Sequence, residues 1–341
     1  MIVAPDPLRQ WAADALHAVG APRHTAARVA DSLLESELRG YASHGLQRLP
    51  AYLRSMRDHT IDPHATPVIE GDDAPATLRI DGRRAFGQLS AAFAAEELIP
   101  RAHQYGVSAA TIRRCGHTGR LGEYTGMLAD AGLIGFATSN SEPWVSGPAG
   151  GPRLLGPNPL SWAVPGSPPV VVDFATSATA VGRVAGALAR GEPLAAGMLR
   201  DRDGRPSEDP ADLFTGGALR PAAGAKGFGL AVIADILGGI LSGSRSGSDP
   251  DYDGSHGTFL LALDISAFLD PAEVIRQIEE LRVRLAEAAA DLPGARAARS
   301  RHAMLKTGIE LPPATLENLD RIAAELGVAR LPRMDTANGR P

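Results

Sequence analysis

The chain has 341 residues, 44% hydrophobic and 21% charged, enough for a sizeable core shared by more than one structural unit. A formal net charge of −5 gives no basic footprint for nucleic acid or an anionic membrane surface. The single cysteine, Cys115, excludes an intrachain disulfide framework and any multi-cysteine metal site.

Met1-Ile2-Val3-Ala4-Pro5-Asp6 lacks the basic start and apolar core of a signal peptide. The longest apolar stretch, 230–241, is interrupted by Asp235 and falls short of the about 20 residues that cross a bilayer. A cytoplasmic protein is the expectation. Asp6-Pro7 predicts a helix cap and first turn, with Leu8, Trp11, Ala12, Leu16 and Val19 at helical spacing before Gly20. Further helices are predicted over 25–39, where Val29, Leu33 and Leu38 point inward, and over 46–56. Residues 1–72 therefore read as a helical unit, with Ser43-His44-Gly45 at a helix start.

Beyond it the texture changes. β-rich runs at 77–80, 107–112, 133–138, 170–174 and 259–264 alternate with helical stretches at 89–105, 120–131, 178–189, 227–241 and 271–289. This α/β alternation predicts a mixed or partly parallel sheet covered by helices, a sheet domain over 73–292. A last helix at 314–326 belongs to a C-terminal region, 293–332, that joins the N-terminal unit, and 333–341 reads as a tail. Glycine- and proline-rich segments, 147–152 and 156–159, offer rigid turns that a ligand could approach closely. The 242–254 stretch reads as a mobile loop.

No Gly-x-Gly-x-x-Gly follows an early strand, and Gly224-Ala225-Lys226-Gly227-Phe228-Gly229 is neither that fingerprint nor a Walker A loop. Glycines around one lysine at a helix start still suit a phosphate, through free amides, the helix dipole and the cation; a simple helix-entry turn is the alternative. Asp249-Pro250-Asp251-Tyr252-Asp253-Gly254 imitates a calcium loop, but its twelfth position is Leu260 where a glutamate is required, and no metal site is predicted. His44 and His117 stand out because small residues flank them, Ser43 and Gly45 in one case, Gly116 and Gly119 in the other. Removing or returning the proton of a C–OH group needs a base poised near neutrality, for which imidazole is suited. Arg48 lies one helical turn after His44, pairing such a base with a fork-shaped carboxylate binder; surface capping is the alternative. Asp173 ends the apolar run Val170-Val171-Val172, either as a helix-cap acid, as the orienting partner of a histidine, or against a ribose.

Together these motifs resemble one family across nearly the whole chain, the type-2 malate/L-lactate dehydrogenases. The resemblance rests on Arg39-Gly40, Ser43-His44-Gly45, Arg48-Leu49-Pro50-x-Tyr52, His117-x-Gly119, Gly132-Leu133-Ile134-Gly135 and Ser139-Asn140-Ser141. It continues through Leu155-Gly156-Pro157-Asn158-Pro159, Asp173-Phe174-Ala175-Thr176-Ser177, Lys226-Gly227-Phe228-Gly229-Leu230 and Gly308-Ile309-x-Leu311-Pro312. It implies a homodimeric oxidoreductase with a non-Rossmann nicotinamide-binding fold, NAD or NADP as cofactor, a small 2-hydroxy or 2-keto carboxylate as substrate, and a site near the subunit interface. By position, His44 becomes the acid/base with Asp173 as its orienting partner, and His117 lies near the nicotinamide. Ser43, Arg48 and Tyr52 hold the substrate, and Gly119, Arg120, Asn140, Ser141, Asn158, Phe174, Ala175, Thr176, Ser177 and Lys226 line the cofactor.

The chain departs from the family at Arg114-Cys115-Gly116, at Thr258, where many members carry a histidine, and at Ala295, where glutamate is preferred. Three other readings stand beside the main one. A cyclic imine carboxylate reductase uses the same residues. A catalytically silent nucleotide-binding protein has no need of His44, Arg48, Asp173 and Lys226 together. A hydrolase built on Ser43 and His44 lacks a Gly-x-Ser-x-Gly elbow, and neighbouring side chains on a helix start are not expected to face each other.

Overall fold

The computed structural model describes residues 2–71 and 74–331. The tail expected over 333–341, and the proposed domain boundary at 72/73, lie outside the described residues.

The N-terminal helices form where their apolar spacing places them, at Pro5–Ala18, Arg23–Leu38 and Leu49–Arg57. The first begins one residue before Asp6, because Pro5 supplies the preset backbone angle of a first turn and Asp6 serves as its acidic residue rather than its cap. Leu8, Trp11, Leu16, Val29, Leu33, Leu49, Leu53 and Met56 pack into one cluster. The C-terminal Leu316, Leu319, Ile322 and Leu331 complete it. A further helix, Ala295–Thr307, which the sequence reading does not delimit, docks beside it: Ser300 Oγ donates to the Leu38 carbonyl and Arg301 pairs with Glu35 at 2.9 Å.

The main sheet has seven strands in the order Val68–Ile69, Thr77–Asp81, Val107–Cys115, His256–Asp264, Leu133–Ser139, Leu160–Val164 and Val170–Phe174. Only Thr77–Asp81 and Val107–Cys115 run parallel; the other neighbours are antiparallel. The sheet is thus mixed, as expected, and lacks the parallel doubly wound core of a Rossmann fold. Helices Gly87–Tyr105 and Gly122–Asp130 cover one face, burying Ala91, Ala95, Leu98, Tyr124 and Leu128 against Ile80, Ile112 and Leu260.

The glycine- and proline-rich region read as turns holds strands Val145–Gly147 and Gly150–Leu155 of a second, five-stranded sheet. Their pairing is irregular, with register shifts on both sides of Ser146, so the two-residue alternation that announces a strand is broken. The predicted 227–241 helix starts earlier, at Ala225, and its last turn, Asp235–Ile240, is π-helical. Its Leu230, Ile233, Ile236 and Ile240 are exposed. The 242–254 segment is a loop, tied down where Asn140 Nδ2 donates to the Arg245 carbonyl at 2.9 Å.

Candidate active site

The site forms where the helical unit meets the mouth of the main sheet. Ser43 and His44 occupy a short 3-10 turn, Ala42–His44, and Arg48 ends a second, Leu46–Arg48. One continuous helical turn does not join them, because Gly45 breaks the path with ψ of −143°. The Arg48 guanidinium is still near enough to His44 to lower the basicity of its imidazole. Inside the turn Ser43 Oγ and His44 Nδ1 are 3.1 Å apart, so these neighbours do face each other, contrary to the helix-based expectation. The tighter winding of a 3-10 turn brings them together.

The loop rests on a buried carboxylate. Glu37, 5% exposed, accepts the Leu46 N–H at 2.7 Å, and any side chain at Gly45 would collide with it. Burial raises its carboxyl from the ordinary 4.5 to about 7. A raised value means that the folded state holds the proton more tightly than the unfolded chain. The resulting stabilisation is complete below pH 4.5 and is lost as the pH rises through 7. Between those limits it amounts to about 3 kcal/mol. Glu37→Gln keeps the acceptor for Leu46 and removes the titration. Urea unfolding is expected to show wild type losing about 3 kcal/mol relative to this variant between pH 4.5 and 8; parallel pH dependence of the two proteins would contradict it.

His117 is fixed more rigidly. Its Nδ1 accepts the Gly119 N–H at 3.1 Å and lies 2.9 Å from the Tyr52 hydroxyl, which in turn accepts from Gln88 Nε2 at 2.7 Å. A backbone amide can only donate, so Nδ1 carries no proton and the neutral ring bears its hydrogen on Nε2. Tyr52, expected to hold substrate, is therefore occupied with His117 and Gln88 and is itself buried. The His44 and His117 rings lie 5.8 Å apart and nearly parallel, at 26°.

A third imidazole completes the cluster. His256 stands edge-on to His117 with ring centroids 5.5 Å apart. It is not among the residues singled out from the sequence, although Ser255 and Gly257 flank it as small residues flank the other two. Burial first, and the Arg48 charge second, push His44 and His256 down to about 4; the same causes, with the neighbouring histidines, take His117 well below its ordinary range. All three rings are neutral at pH 7. Arg48 Nε is buried without a hydrogen-bond partner, an unmet donor in the middle of this cluster.

Asp173 does not pair with His44. It accepts the Gly122 N–H at 2.8 Å and lies 3.9 Å from Arg120, both side chains being less than a tenth exposed. The pairing follows from chain path: Arg120 and Gly122 open the Gly122–Asp130 helix directly against the Val170–Phe174 edge strand. Arg120, whose guanidinium also lies 5.6 Å from the Tyr41 ring centre, adds to burial and Arg48 in lowering the basicity of His44.

Several expected cofactor residues turn out to be internal struts. Asn140 ties Gly257 N–H and the Arg245 carbonyl together, and Asn158 links Ser141 N–H to the Ala231 carbonyl. Thr176 Oγ1 donates to Pro157 O and Ser177 Oγ to Thr179 O. These four side chains are buried and hydrogen-bonded within the protein. Ser141 and Ala175 are half-buried, Gly119 takes a positive φ of 77°, and Phe174 and Lys226 are exposed. Lys226 sits in the first turn of the Ala225–Ala234 helix, and any side chain at Gly227 there would meet the Thr176 carbonyl, which brings the two segments together. Among the described residues, no His, Cys, Asp or Glu cluster is arranged to hold a metal ion, and no helix is long and apolar enough to cross a membrane.

Comparison with known proteins identifies the family. A family model described as malate/L-lactate dehydrogenase matches residues 3–320. The chain is 35% identical to an L-lactate dehydrogenase of Cupriavidus necator, covering 94% of this chain and 97% of the relative. It is 36% identical to a (2R)-3-sulfolactate dehydrogenase (NADP(+)) of Chromohalobacter salexigens, over 89% of this chain and 93% of that one. The crystal structure of delta1-piperideine-2-carboxylate reductase from Pseudomonas syringae pvar. tomato superposes with a TM-score of 0.85 at 31% identity, covering 95% of this chain and 100% of that one. By sequence and by fold, the chain belongs to the malate/L-lactate dehydrogenase family.

Proposed function

We propose that this protein moves a hydride reversibly between NAD or NADP and a small 2-hydroxy or 2-keto carboxylate, with His44 as the acid/base. The observation that carries the reading is Arg48: a half-buried guanidinium whose buried Nε–H is unmet, set among neutral imidazoles. A planar fork of donors suits a carboxylate, and an anion there meets a site otherwise short of acceptors.

The Lys226 helix start, with the adjoining 174–177 backbone, suits the phosphates of the dinucleotide. Bound there, the dinucleotide supplies or accepts the hydride. Arg48 orients the substrate carboxylate. His44 exchanges the proton of the substrate oxygen, because its Nδ1 neighbour, the Ser43 hydroxyl, can donate to a bare nitrogen or accept from a protonated one. His117 lacks that freedom: protonating its Nδ1 would break the Gly119 hydrogen bond. Its Nε2–H instead offers a fixed donor to the substrate oxygen.

The sign of the pH dependence follows. Oxidation of a hydroxy acid needs His44 unprotonated, and in the free protein it stays so down to about 4. The kcat/KM for oxidation of a monocarboxylic hydroxy acid is therefore expected to remain level from pH 8 to about 5 and to fall only below that. A pH–rate profile breaking near 6.5, the ordinary imidazole range, would contradict a His44 base in this pocket.

A second reading is reduction of a cyclic imine carboxylate, favoured by the likeness to the piperideine-carboxylate reductase structure. The same Arg48 binds the carboxylate and His44 supplies the proton to nitrogen. A substrate panel separates the two.

A further inference from the structure

His256 has no part in the scheme above, yet the fold takes trouble to place it. It opens the His256–Asp264 strand, and regular pairing with the Val107–Cys115 strand breaks between His256 and Thr258. Opposite the break, Arg114 adopts a positive φ of 51°. Such a bulge redirects a strand end. Thr258, fully buried, packs into the sheet with its Oγ1 3.3 Å from Ser139 Oγ, while the His256 ring reaches His117. The break is clamped on both sides. Asn140 Oδ1 accepts the Gly257 N–H at 2.8 Å, Asn140 N–H donates to the Gly257 carbonyl at 3.1 Å, and the Cys115 thiol donates to the His256 carbonyl at 3.3 Å.

The charges of the pocket leave one task unfilled. Arg120 has Asp173 at 3.9 Å, although its Nε is unmet like that of Arg48, whereas no carboxylate pairs with Arg48 among the described residues, so Arg48 is the cation that a monocarboxylate would neutralise. A substrate with a second acidic group brings a further negative charge, which needs its own partner in a site screened from water. His44 is committed to the reacting oxygen, and His117 has its Nδ1 held by Gly119 and Tyr52. Among the described residues, the groups facing His256 are Arg48, His117, the Asn140 backbone and, from the paired strand, the neutral Cys115 thiol, none of them anionic. With the first carboxylate on Arg48 and a second anion nearby, the field that keeps His256 neutral is reversed.

Resting on the dehydrogenase reading, we propose that His256 is the specificity-determining residue of the site, taking the second acidic group of a dianionic 2-hydroxy or 2-keto acid, a carboxylate or sulfonate on C3, while the first carboxylate lies on Arg48. Binding then carries one proton with it, onto the imidazole.

The test compares a four-carbon diacid, oxaloacetate, with the monoacid of equal chain length, 2-oxobutyrate. In wild type the ratio of their kcat/KM values is expected to favour the diacid and to rise by up to tenfold per unit as the pH is lowered from 8 to 6. His256→Gln is expected to lower the ratio about thirtyfold at pH 6, chiefly through the diacid KM, and to flatten its pH dependence. A wild-type preference for the monoacid, a pH-independent ratio, or equal losses on both substrates in the variant would overturn the proposal while leaving the dehydrogenase reading intact. If neither compound is turned over, a wider panel of 2-keto acids judges the dehydrogenase reading. Calorimetric binding of malate against 2-hydroxybutyrate, in two buffers of different ionisation heat, then judges His256 alone: proton uptake with malate that disappears in the variant supports it, and no uptake overturns it.

Discussion

His44→Ala is expected to reduce turnover of the substrate by about 10²–10⁴-fold, the range that a positioned acid/base contributes. The imidazole is half-buried, stacks on His117 and has Ser43 Oγ as its side-chain hydrogen-bond partner, so its removal leaves no buried charge behind and the fold should stand. Binding of reduced nicotinamide, followed by fluorescence titration, should change little. His117→Ala is expected to behave differently. It frees the Gly119 N–H and the Tyr52 hydroxyl inside the protein, so a stability loss of about 1–3 kcal/mol should accompany its kinetic effect. Retention of more than a few per cent of wild-type turnover by His44→Ala, with normal cofactor binding, would remove His44 from the acid/base role.

Asp173→Ala should act on the fold before it acts on the chemistry. Its carboxylate and Arg120 are 3.9 Å apart and almost fully buried, and removal leaves a guanidinium uncompensated and the Gly122 N–H without an acceptor. Removing one partner of such a pair typically costs about 3–5 kcal/mol. The double variant Asp173→Ala/Arg120→Met removes both charges and should recover part of that loss, which a double-mutant cycle by urea unfolding measures directly. An Asp173 that orients His44 would give the opposite pattern, a large loss of kcat in a protein of unchanged stability. That outcome would restore the pairing that the structure does not form.

What the sequence disclosed and what it hid follow the range of the interactions. The N-terminal helices and the strand Val170–Phe174 are periodic or continuous apolar runs, and periodicity is local information. The pairing of His44 with Arg48 was also legible, although two 3-10 turns rather than one helix bring them together. Asp173 shows the limit. Its acid at a strand end could be read, but its partner 53 positions earlier, Arg120, is set by which helix start meets which edge strand. Glu37 reads as one more surface acid on an amphipathic helix until the Gly45 loop is seen to lie on it. Asn140 and Asn158 were legible as special positions, but only the fold shows their amides spent on backbone groups at 245, 257, 141 and 231. His256 carried the same small-residue flanks as His44, and its place became visible only when the bulge beside Thr258 was known.

The most direct test of the central claim is the loss of reduced-nicotinamide absorbance, with NADH and NADPH in parallel, across a panel of 2-keto acids and a cyclic imine carboxylate. The account predicts turnover of at least one 2-keto acid with one of the two cofactors, abolished when Arg48 is replaced by glutamine. Protein that binds neither cofactor and consumes neither in the presence of any panel member would contradict it.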